Sequence, residues 1–324
     1  MKTKKIVAAV TALALTVTAL ASLSACGGKK SETYKVGICQ LAQHDALDAA
    51  TKGFKDALKE KLGDKVEFEE QNAAGEPATC TTIVNQFVSS KVDLIFANAT
   101  GALQAAVSAT DSIPIVGTSI TDYATALEIS LKDWTGKTGI NVTGTSDLAP
   151  LDKQAEMFKE LLPNVKKVGI LYCSGEANSK YQATEIAKHL KNLGIETKEY
   201  TSADSNDLAQ VVTTACAEVE ALYVPTDNTM ASNAEIINNI AEPAKIPIIA
   251  GEKGICQGCG IATLSIDYYD IGKKAGEMAY EILVNGKNPA DIDIGFATDL
   301  TKEYVETRCK NLGITIPEGY SAIK

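Results

Sequence analysis

The chain has 324 residues, a formal net charge of −10 at neutral pH and only two histidines. This acidity argues against nucleic acid or an anionic membrane surface as a partner, since both require clustered lysine and arginine. No His, Cys and Asp residues recur at zinc-like spacing, so neither a metal site nor a cofactor is expected.

The first 25 residues predict a lipoprotein signal peptide. Lysines at positions 2, 4 and 5 precede an apolar run over 6–23, and Leu-Ser-Ala stands directly before Cys26. That order is typical of an export signal, and its end resembles the lipobox of bacterial lipoproteins, which makes Cys26 the lipidation site. Residues 26–33 are polar, as in a flexible tether. We expect an extracytoplasmic protein anchored to the bacterial cell membrane by lipid alone; a plain secretory signal or a transmembrane anchor is the alternative.

The same order of signals appears twice along the remaining chain. Lys-Val-Gly-Ile at 35–38 recurs at 167–170, and each copy precedes a polar loop and an amphipathic helical pattern, over 48–62 and 180–193. Matching strands are predicted in pairs, at 66–69 and 196–200, 92–97 and 219–224, and 113–117 and 246–251. Such alternation predicts an α/β fold with two doubly wound parallel-sheet lobes joined by a hinge.

The two lobes are expected to exchange segments. Residues 141–150 are predicted to cross to the second lobe, and 264–267 to cross back, which places a helix over 271–283 on the first lobe. The predicted N-terminal lobe holds 34–146 and 267–290, and the C-terminal lobe holds 147–266 and 291–324, with a helical candidate at 304–312.

Seven cysteines remain after Cys26, so at least one of them is unpaired. Most lie in apolar runs, where a buried thiol behaves as a small hydrophobe. Cys256 and Cys259 are the exception, because they lie in a Gly-rich segment that precedes a predicted strand. A thioredoxin-like redox motif needs the reverse order, so a structural turn, bridged or not, is the preferred interpretation.

Several segments resemble one family of type I substrate-binding lipoproteins of ABC importers, the family associated with the aromatic amino acids tryptophan and tyrosine. The resemblance covers most of residues 34–316 and is strongest at 36–40, 44–54, 141–144, 176–179, 224–228 and 267–272. It implies a monomer that captures a small ligand in the cleft between lobes and delivers it to an ABC permease and its ATPase. The chain departs from the family at 121–123, where a proline is expected after the aspartate, and in its cysteine content.

Candidate ligand-binding residues follow from the rule that parallel sheets bind ligands at the carboxyl ends of their strands. A clamp for an amino acid carboxylate is predicted at the start of a helix over 102–109 and at the neighbouring strand end, from Thr100, Gly101, Thr118 and Ser119. Thr100 as a simple N-cap is the structural alternative.

The ammonium group needs an acidic partner. Asp227 is the first candidate, with Asn228 beside it in the family motif, and Glu176 is the second. Asp227 as the N-cap of a helix over 230–241 is the structural alternative. The side-chain pocket is predicted to draw on Gln40, His44, Leu47, Asn178 and Tyr268, although His44 as a solvated loop residue and Leu47 as part of its helix stripe are the alternatives.

The same sequence also bears on other classes of function. An enzyme is not expected, because two scattered histidines and no nucleophile-elbow motif leave no catalytic constellation. The chain also lacks a Gly-x-x-x-x-Gly-Lys-Ser/Thr loop, so ATP binding would belong to a partner. The alternatives are a sugar or nucleoside binding protein of the same fold, or a surface protein with an adhesive role.

Overall fold

The computed structural model describes residues 33–323. The predicted signal peptide 1–25, the lipidation site Cys26 and all but the last residue of the tether lie outside the described residues. Within 33–323, no helix combines the length and the apolar character needed to cross a bilayer.

The first sheet is built from the N-terminal half of the chain and one short strand near its end. Its strands are β1 (Tyr34–Gln40), β2 (Val66–Asn72), β3 (Leu94–Asn98), β4 (Ile115–Ile120), β5 (Val142–Ser146) and β11 (Gly295–Phe296). They lie in the order β11-β5-β4-β3-β1-β2, and every pairing is parallel. The helices between them are α1 (Asp45–Leu62), α2 (Pro77–Ser90), α3 (Thr100–Ala109) and α4 (Tyr123–Ala126).

The second sheet repeats this plan. It contains β6 (Lys167–Cys173), β7 (Glu196–Ser202), β8 (Ala221–Val224), β9 (Ile248–Ala250), β10 (Ala262–Ile266), β12 (Leu300–Tyr304) and β13 (Ser321–Ala322). The order is β13-β12-β10-β9-β8-β6-β7, with β12 antiparallel to β10. Its helices are α5 (Leu151–Leu161), α6 (Ala177–Asn192), α7 (Leu208–Glu218), α8 (Asn228–Ser232), α9 (Ala234–Ala241), α10 (Lys253–Cys259) and α12 (Glu306–Leu312).

The chain passes between the two sheets three times. It crosses after β5, after β10 and between β11 and β12. The crossing after β10 leads into α11 (Tyr268–Leu283), which packs along α1 in the first lobe. The two helices are very close, because a Cβ on Gly272 would lie 2.0 Å from the carbonyl oxygen of Ala50.

The third crossing corrects one predicted lobe boundary. The sequence places everything after residue 290 in the C-terminal lobe, but β11 pairs with β5 at Gly295↔Thr145 and Phe296↔Ser146. The lobe exchange is therefore made at 297–299. A strand of two residues carries no alternating pattern, so its pairing depends on the edge that β5 offers.

Two other local predictions need correction. The helix predicted over 230–241 is two helices, α8 and α9, with Asn233 between them. Cys256 and Cys259 lie in the helix α10 and not in a turn. The carbonyl groups at the end of α10 accept hydrogen bonds from Arg308, the only arginine of the chain, which contacts the oxygens of Cys256, Gln257, Gly258 and Gly260.

Candidate functional site

A small cavity lies between the two lobes, where the carboxyl ends of both sheets face each other. Its volume is about 10 Å³, roughly the space that one water molecule needs. Seven residues predicted from the sequence line it: His44, Leu47, Ser119, Asn178, Asp227, Asn228 and Tyr268. Four further lining residues were not predicted: Asp147, Thr226, Ala231 and Glu252.

Most of these residues occupy equivalent places in the fold. Ser119 lies near the end of β4, Asp147 follows β5, Asp227 follows β8, Glu252 follows β9 and Tyr268 follows β10. In open α/β sheets the loops at this edge are the ones that bind ligands. The same rule, applied to β5 and β9, could have found Asp147 and Glu252.

Three buried carboxylates dominate the lining. Asp147, Asp227 and Glu252 are 4%, 1% and 2% exposed, and no lysine or arginine is found among the described residues that line the cavity. Burial is the main cause of their shifts: it raises the pKa of Asp147 to about 6, and it raises those of Asp227 and Glu252. The cavity therefore favours a cation.

Asp147 links two of the interlobe crossings. Its Oδ1 accepts a hydrogen bond from Thr121 Oγ1 at 3.1 Å, and its Oδ2 accepts one from the Tyr268 hydroxyl at 3.0 Å. Asp147 follows β5 and Tyr268 begins α11, so this bond joins the first crossing to the second. The donors lower the pKa of Asp147, but burial outweighs them.

Asp227 combines a place in the cavity with a capping role. Its Oδ1 accepts from the amide of Met230 at 2.8 Å, which caps α8, and its Oδ2 accepts from the amide of Cys173 at 2.7 Å. Asp227 therefore has the capping role predicted as the structural alternative, and it also lines the cavity. Both carboxylate oxygens keep lone pairs beyond these bonds.

Glu252 is arranged in the same way at the start of α10. Its Oε2 accepts from the amide of Gly254 at 2.6 Å, and its Oε1 accepts from the amide of Ile255. A carboxylate at a helix N-terminus is favoured by the helix dipole. Burial still raises the pKa of Glu252, so the dipole compensates only part of the cost of desolvation.

Ser119 presents an unused hydroxyl. The residue is 6% exposed, and its Oγ has no hydrogen-bond partner within residues 33–323. Its φ is +56°, a left-handed conformation that is uncommon outside glycine and asparagine, and the pairing of β4 with β5 shifts register between Gly117 and Ile120. Strain of this kind is often found at ligand sites, and here it accompanies an unsatisfied donor.

Five predicted residues lie outside this lining. Thr118 hydrogen bonds to Thr145 inside the first sheet, with 2.9 Å between the two oxygens. Gln40 at the end of β1 is bonded to α1, donating to Asp48 at 2.6 Å and accepting from Thr51 at 2.6 Å. Thr100, Gly101 and Glu176 line a wider opening between the lobes, which shares Asn178 and Asn228 with the cavity.

Glu176 is fully used within the second lobe. Its two oxygens accept from the amide and side chain of Asn228 at 3.0 and 2.7 Å, and from the amide and hydroxyl of Thr229 at 2.8 and 2.9 Å. It also accepts from Asn178 at 3.1 Å. The carboxylate therefore holds the loop that carries Asn228 into the cavity.

The two lobes touch across the cavity. His44 of the first lobe lies 3.2 Å from Asn228 Oδ1 of the second, measured from Nε2. Gln182 of α6 donates to Thr121 of the first lobe at 3.4 Å. It also donates to the carbonyl oxygen of Thr226 and accepts from the amide of Thr226. These contacts belong to a closed arrangement of the lobes.

No group of three or more metal-ligating side chains is present in the part of the chain that the structure describes. The chemistry available in the cavity is therefore that of carboxylates, hydroxyls, amides and one imidazole.

Comparison with known proteins fits this geometry. The family model described as "ABC transporter substrate binding protein" matches residues 35–323. A tyrosine-binding protein of Clostridioides difficile is 38% identical over 307 residues, covering 91% of this chain and 88% of that protein.

Two solved structures differ in a useful way. An ABC domain from Streptococcus pneumoniae in complex with L-Trp has a TM-score of 0.85 at 33% identity, covering 90% of this chain and 100% of that one. The ligand-free, open structure of a C. difficile substrate binding protein with adhesive properties has a TM-score of 0.68 at 36% identity, covering 90% and 99%. The present lobe arrangement is thus nearer to that of the ligand-bound relative. By the match over nearly its whole described length, this chain belongs to the ABC transporter substrate binding protein family.

Proposed function

We propose that the protein captures an aromatic amino acid, tyrosine or tryptophan, in the interlobe cleft, which is formed by the cavity and the wider opening beside it, and delivers it to an ABC permease and its ATPase. The observation that carries this proposal is the lining of three buried carboxylates without a lysine or arginine among the described residues. The names of the relatives support the choice of side chain, since one is a tyrosine-binding protein and another holds L-Trp.

The α-ammonium group of the ligand is the cation that this lining requires. A buried carboxylate without a counter-charge is costly, and a charge-assisted hydrogen bond to an ammonium offsets that cost. Asp227 remains the residue proposed from sequence, and we add Asp147 and Glu252 as partners in the same cavity. Glu176 is proposed to act indirectly, by positioning Asn228.

The α-carboxylate is proposed to bind without an arginine. Arg308 is the only arginine of the chain, and its guanidinium is used on the carbonyls of α10. The hydroxyl of Ser119 has no hydrogen-bond partner within residues 33–323 and is the proposed donor, and His44 lies in the same lining. Thr100 and Gly101 at the start of α3 remain proposed anion donors from the wider opening.

Ligand binding is proposed to stabilise the closed form. The cavity takes residues from both lobes, so a ligand in it links them and lowers the free energy of the closed form relative to the open one. The hinge is proposed to be the three crossings, two of which are tied by the Asp147–Tyr268 hydrogen bond. The permease would then recognise the closed monomer.

A ligand panel tests this function. At about a hundredfold its dissociation constant, L-Tyr or L-Trp is expected to add roughly 2.7 kcal/mol to the free energy of unfolding, measured by thermal shift. The matched control is the same molecule without the amine, 3-(4-hydroxyphenyl)propionate, together with sugars and nucleosides. Equal stabilisation by the deaminated acid, or stabilisation by a sugar or nucleoside alone, would contradict the proposal.

Anchoring through Cys26 is a second proposal and rests on the sequence. Replacing Cys26 by Ala is expected to release the protein from the cell membrane, because the signal then directs no lipid attachment. The measurement is the fraction of protein in washed membranes, with Cys216→Ala as a control that keeps the anchor. Equal membrane retention of the Cys26→Ala variant and absence of lipid on the wild type would rule the anchor out.

A further inference from the structure

Two cysteines face each other in the core of the first lobe. Cys39 lies near the end of β1 and Cys80 lies in the first turns of α2, and both are 0% exposed in the same apolar cluster. Neither takes part in the ligand cavity described above. The thiols hydrogen bond to each other, which raises the pKa of Cys39 and lowers that of Cys80.

The packing of α2 on β1 explains why the two thiols meet. A Cβ on Gly37 would lie 2.6 Å from the ring of Phe87, so Phe87 of α2 sits directly over Gly37 of β1. Gly37 and Cys39 share one face of the strand, and Cys80 shares a helix face with Phe87, two turns away. Because α2 runs back against the direction of β1, moving from Phe87 to Cys80 moves toward Cys39.

Three of the other thiols of the described chain have backbone partners. The sulfur atoms of Cys173, Cys259 and Cys309 donate to backbone carbonyl oxygens, at 3.4, 3.4 and 3.5 Å. Cys256 and Cys259 share the short helix α10, and the thiol of Cys259 is directed to the carbonyl of Ile255. Cys39 and Cys80 are free thiols in this structure, and each shifts the pKa of the other.

We propose that Cys39 and Cys80 are a site of disulfide formation, which ties β1 to α2 when the protein folds outside the cytoplasm. The oxidant is a low-molecular-weight or enzymatic disulfide. The Cys80 thiolate attacks one sulfur of the oxidant and releases its other half as a thiol, and Cys39 then attacks the Cys80 sulfur and releases the second half. The two cysteines lose two protons and two electrons, and the oxidant is reduced to two thiols.

Burial determines when this reaction takes place. Neither sulfur is accessible once the first lobe is packed, so the oxidant reaches them before β1 and α2 associate. An exported chain passes through this stage in the environment where disulfides persist. The bond would close a loop of about 40 residues in the first lobe, which stabilises mainly by restricting the unfolded chain.

Peptide mapping tests the proposal. The full chain, purified in detergent, is reduced in denaturant, refolded with reduced and oxidised glutathione, alkylated without further reduction and digested. The expected product is a peptide containing Cys39 joined to one containing Cys80, two hydrogen masses below their sum. Alkylation of both Cys39 and Cys80 in the refolded protein, or a Cys256–Cys259 link in place of theirs, would overturn the proposal.

Thermal unfolding gives an independent readout. A reductant is expected to lower the melting temperature of the refolded protein by roughly 4–8 °C. The Cys39→Ala and Cys80→Ala variants are expected to lose this dependence on reductant, whereas Cys216→Ala, the matched control, keeps it. A reductant effect of the same size in Cys39→Ala would also overturn the proposal.

Discussion

Replacing Asp147 by asparagine is expected to weaken binding of the amino acid about 10- to 150-fold and, at the same time, to stabilise the ligand-free protein near neutral pH. The loss of affinity follows from the worth of a charge-assisted hydrogen bond, about 1.5–3 kcal/mol. The gain in stability follows from removing a buried charge, because burial raises the pKa of Asp147 from 3.8 to about 6, a cost on the order of 3 kcal/mol.

Two companion variants separate charge from capping. Glu252→Gln and Asp227→Asn are expected to lose affinity as well, since both carboxylates line the cavity. Asp227→Asn is also expected to lose part of the capping, because an amide group cannot accept hydrogen bonds from the amides of both Met230 and Cys173. The partners of Asp147 are hydroxyls, which can rotate to accept a hydrogen bond from an amide. Both variants remove a buried charge, so Asp227→Asn should gain less stability than Asp147→Asn.

Calorimetric titration and denaturant unfolding at neutral pH measure these effects. Asp64→Asn is the control, because Asp64 is exposed in a 3₁₀ turn before β2, at the amino end of its strand. Titrating each variant with the deaminated ligand completes a double-mutant cycle. Once the carboxylate that binds the ammonium group is removed, removing the amine from the ligand should lower the affinity only slightly further. Wild-type affinity in all three cavity variants would reject the ammonium assignment and bring the sugar or nucleoside alternative forward.

Affinity for the amino acid is expected to fall as the pH is lowered through about 6. Asp147 takes up a proton in this range in the ligand-free protein, with its pKa raised to about 6 by burial, and the proton competes with the cationic ligand. The raised pKa of Glu252 and Asp227 adds to the same trend, and His44 and Tyr268 face the same cavity.

The stability of the ligand-free protein should respond with the opposite sign. The folded state binds the proton on Asp147 more tightly than the unfolded state does, so this group contributes increasing stability as the pH falls from about 6 toward 3.8. The contribution is lost again as the pH rises through about 6. Ligand-free and ligand-saturated melting temperatures should therefore converge on acidification.

Calorimetry and thermal shift on both sides of pH 6 test this behaviour. The Asp147→Asn variant is the matched control and should show a flatter profile in both measurements, since its cavity holds one titrating group fewer. An affinity that is constant from neutral pH to well below 6, or a profile that Asp147→Asn leaves unchanged, would show that Asp147 does not titrate against the ligand.

Much of this protein follows from the sequence alone. The duplicated signals predicted the fold class, and the segments that resemble a known family predicted the membership; both are confirmed, as is the expectation of a non-enzymatic binding protein from family membership. The fold prediction succeeds because apolar periodicity is a local property that the sheet and the helices preserve. The strand-end rule also led to Ser119, Asp227 and Tyr268, which line the cavity.

Other features depended on tertiary structure. Thr118 and Ser119 are adjacent hydroxyl residues near the end of β4, and the sequence does not distinguish them. At the register shift between β4 and β5, the Thr118 hydroxyl is directed to Thr145, and the Ser119 hydroxyl is left without a partner in the described chain. Glu176 and Asp227 are both acidic residues at a loop, yet the carboxylate of Glu176 is fully used by hydrogen bonds within the second lobe.

Asp147 and Glu252 show most clearly what the sequence leaves undecided. Each is a single acidic residue beside a strand, a pattern that also fits a solvated loop or a helix cap. Their charge has consequences only because closure of the lobes removes water from around them, which raises their pKa and creates the need for a cation. The strand-end rule could have named these two carboxylates, but desolvation is decided by distant segments that pack over a residue, so only the tertiary structure shows that they are buried and need a cation.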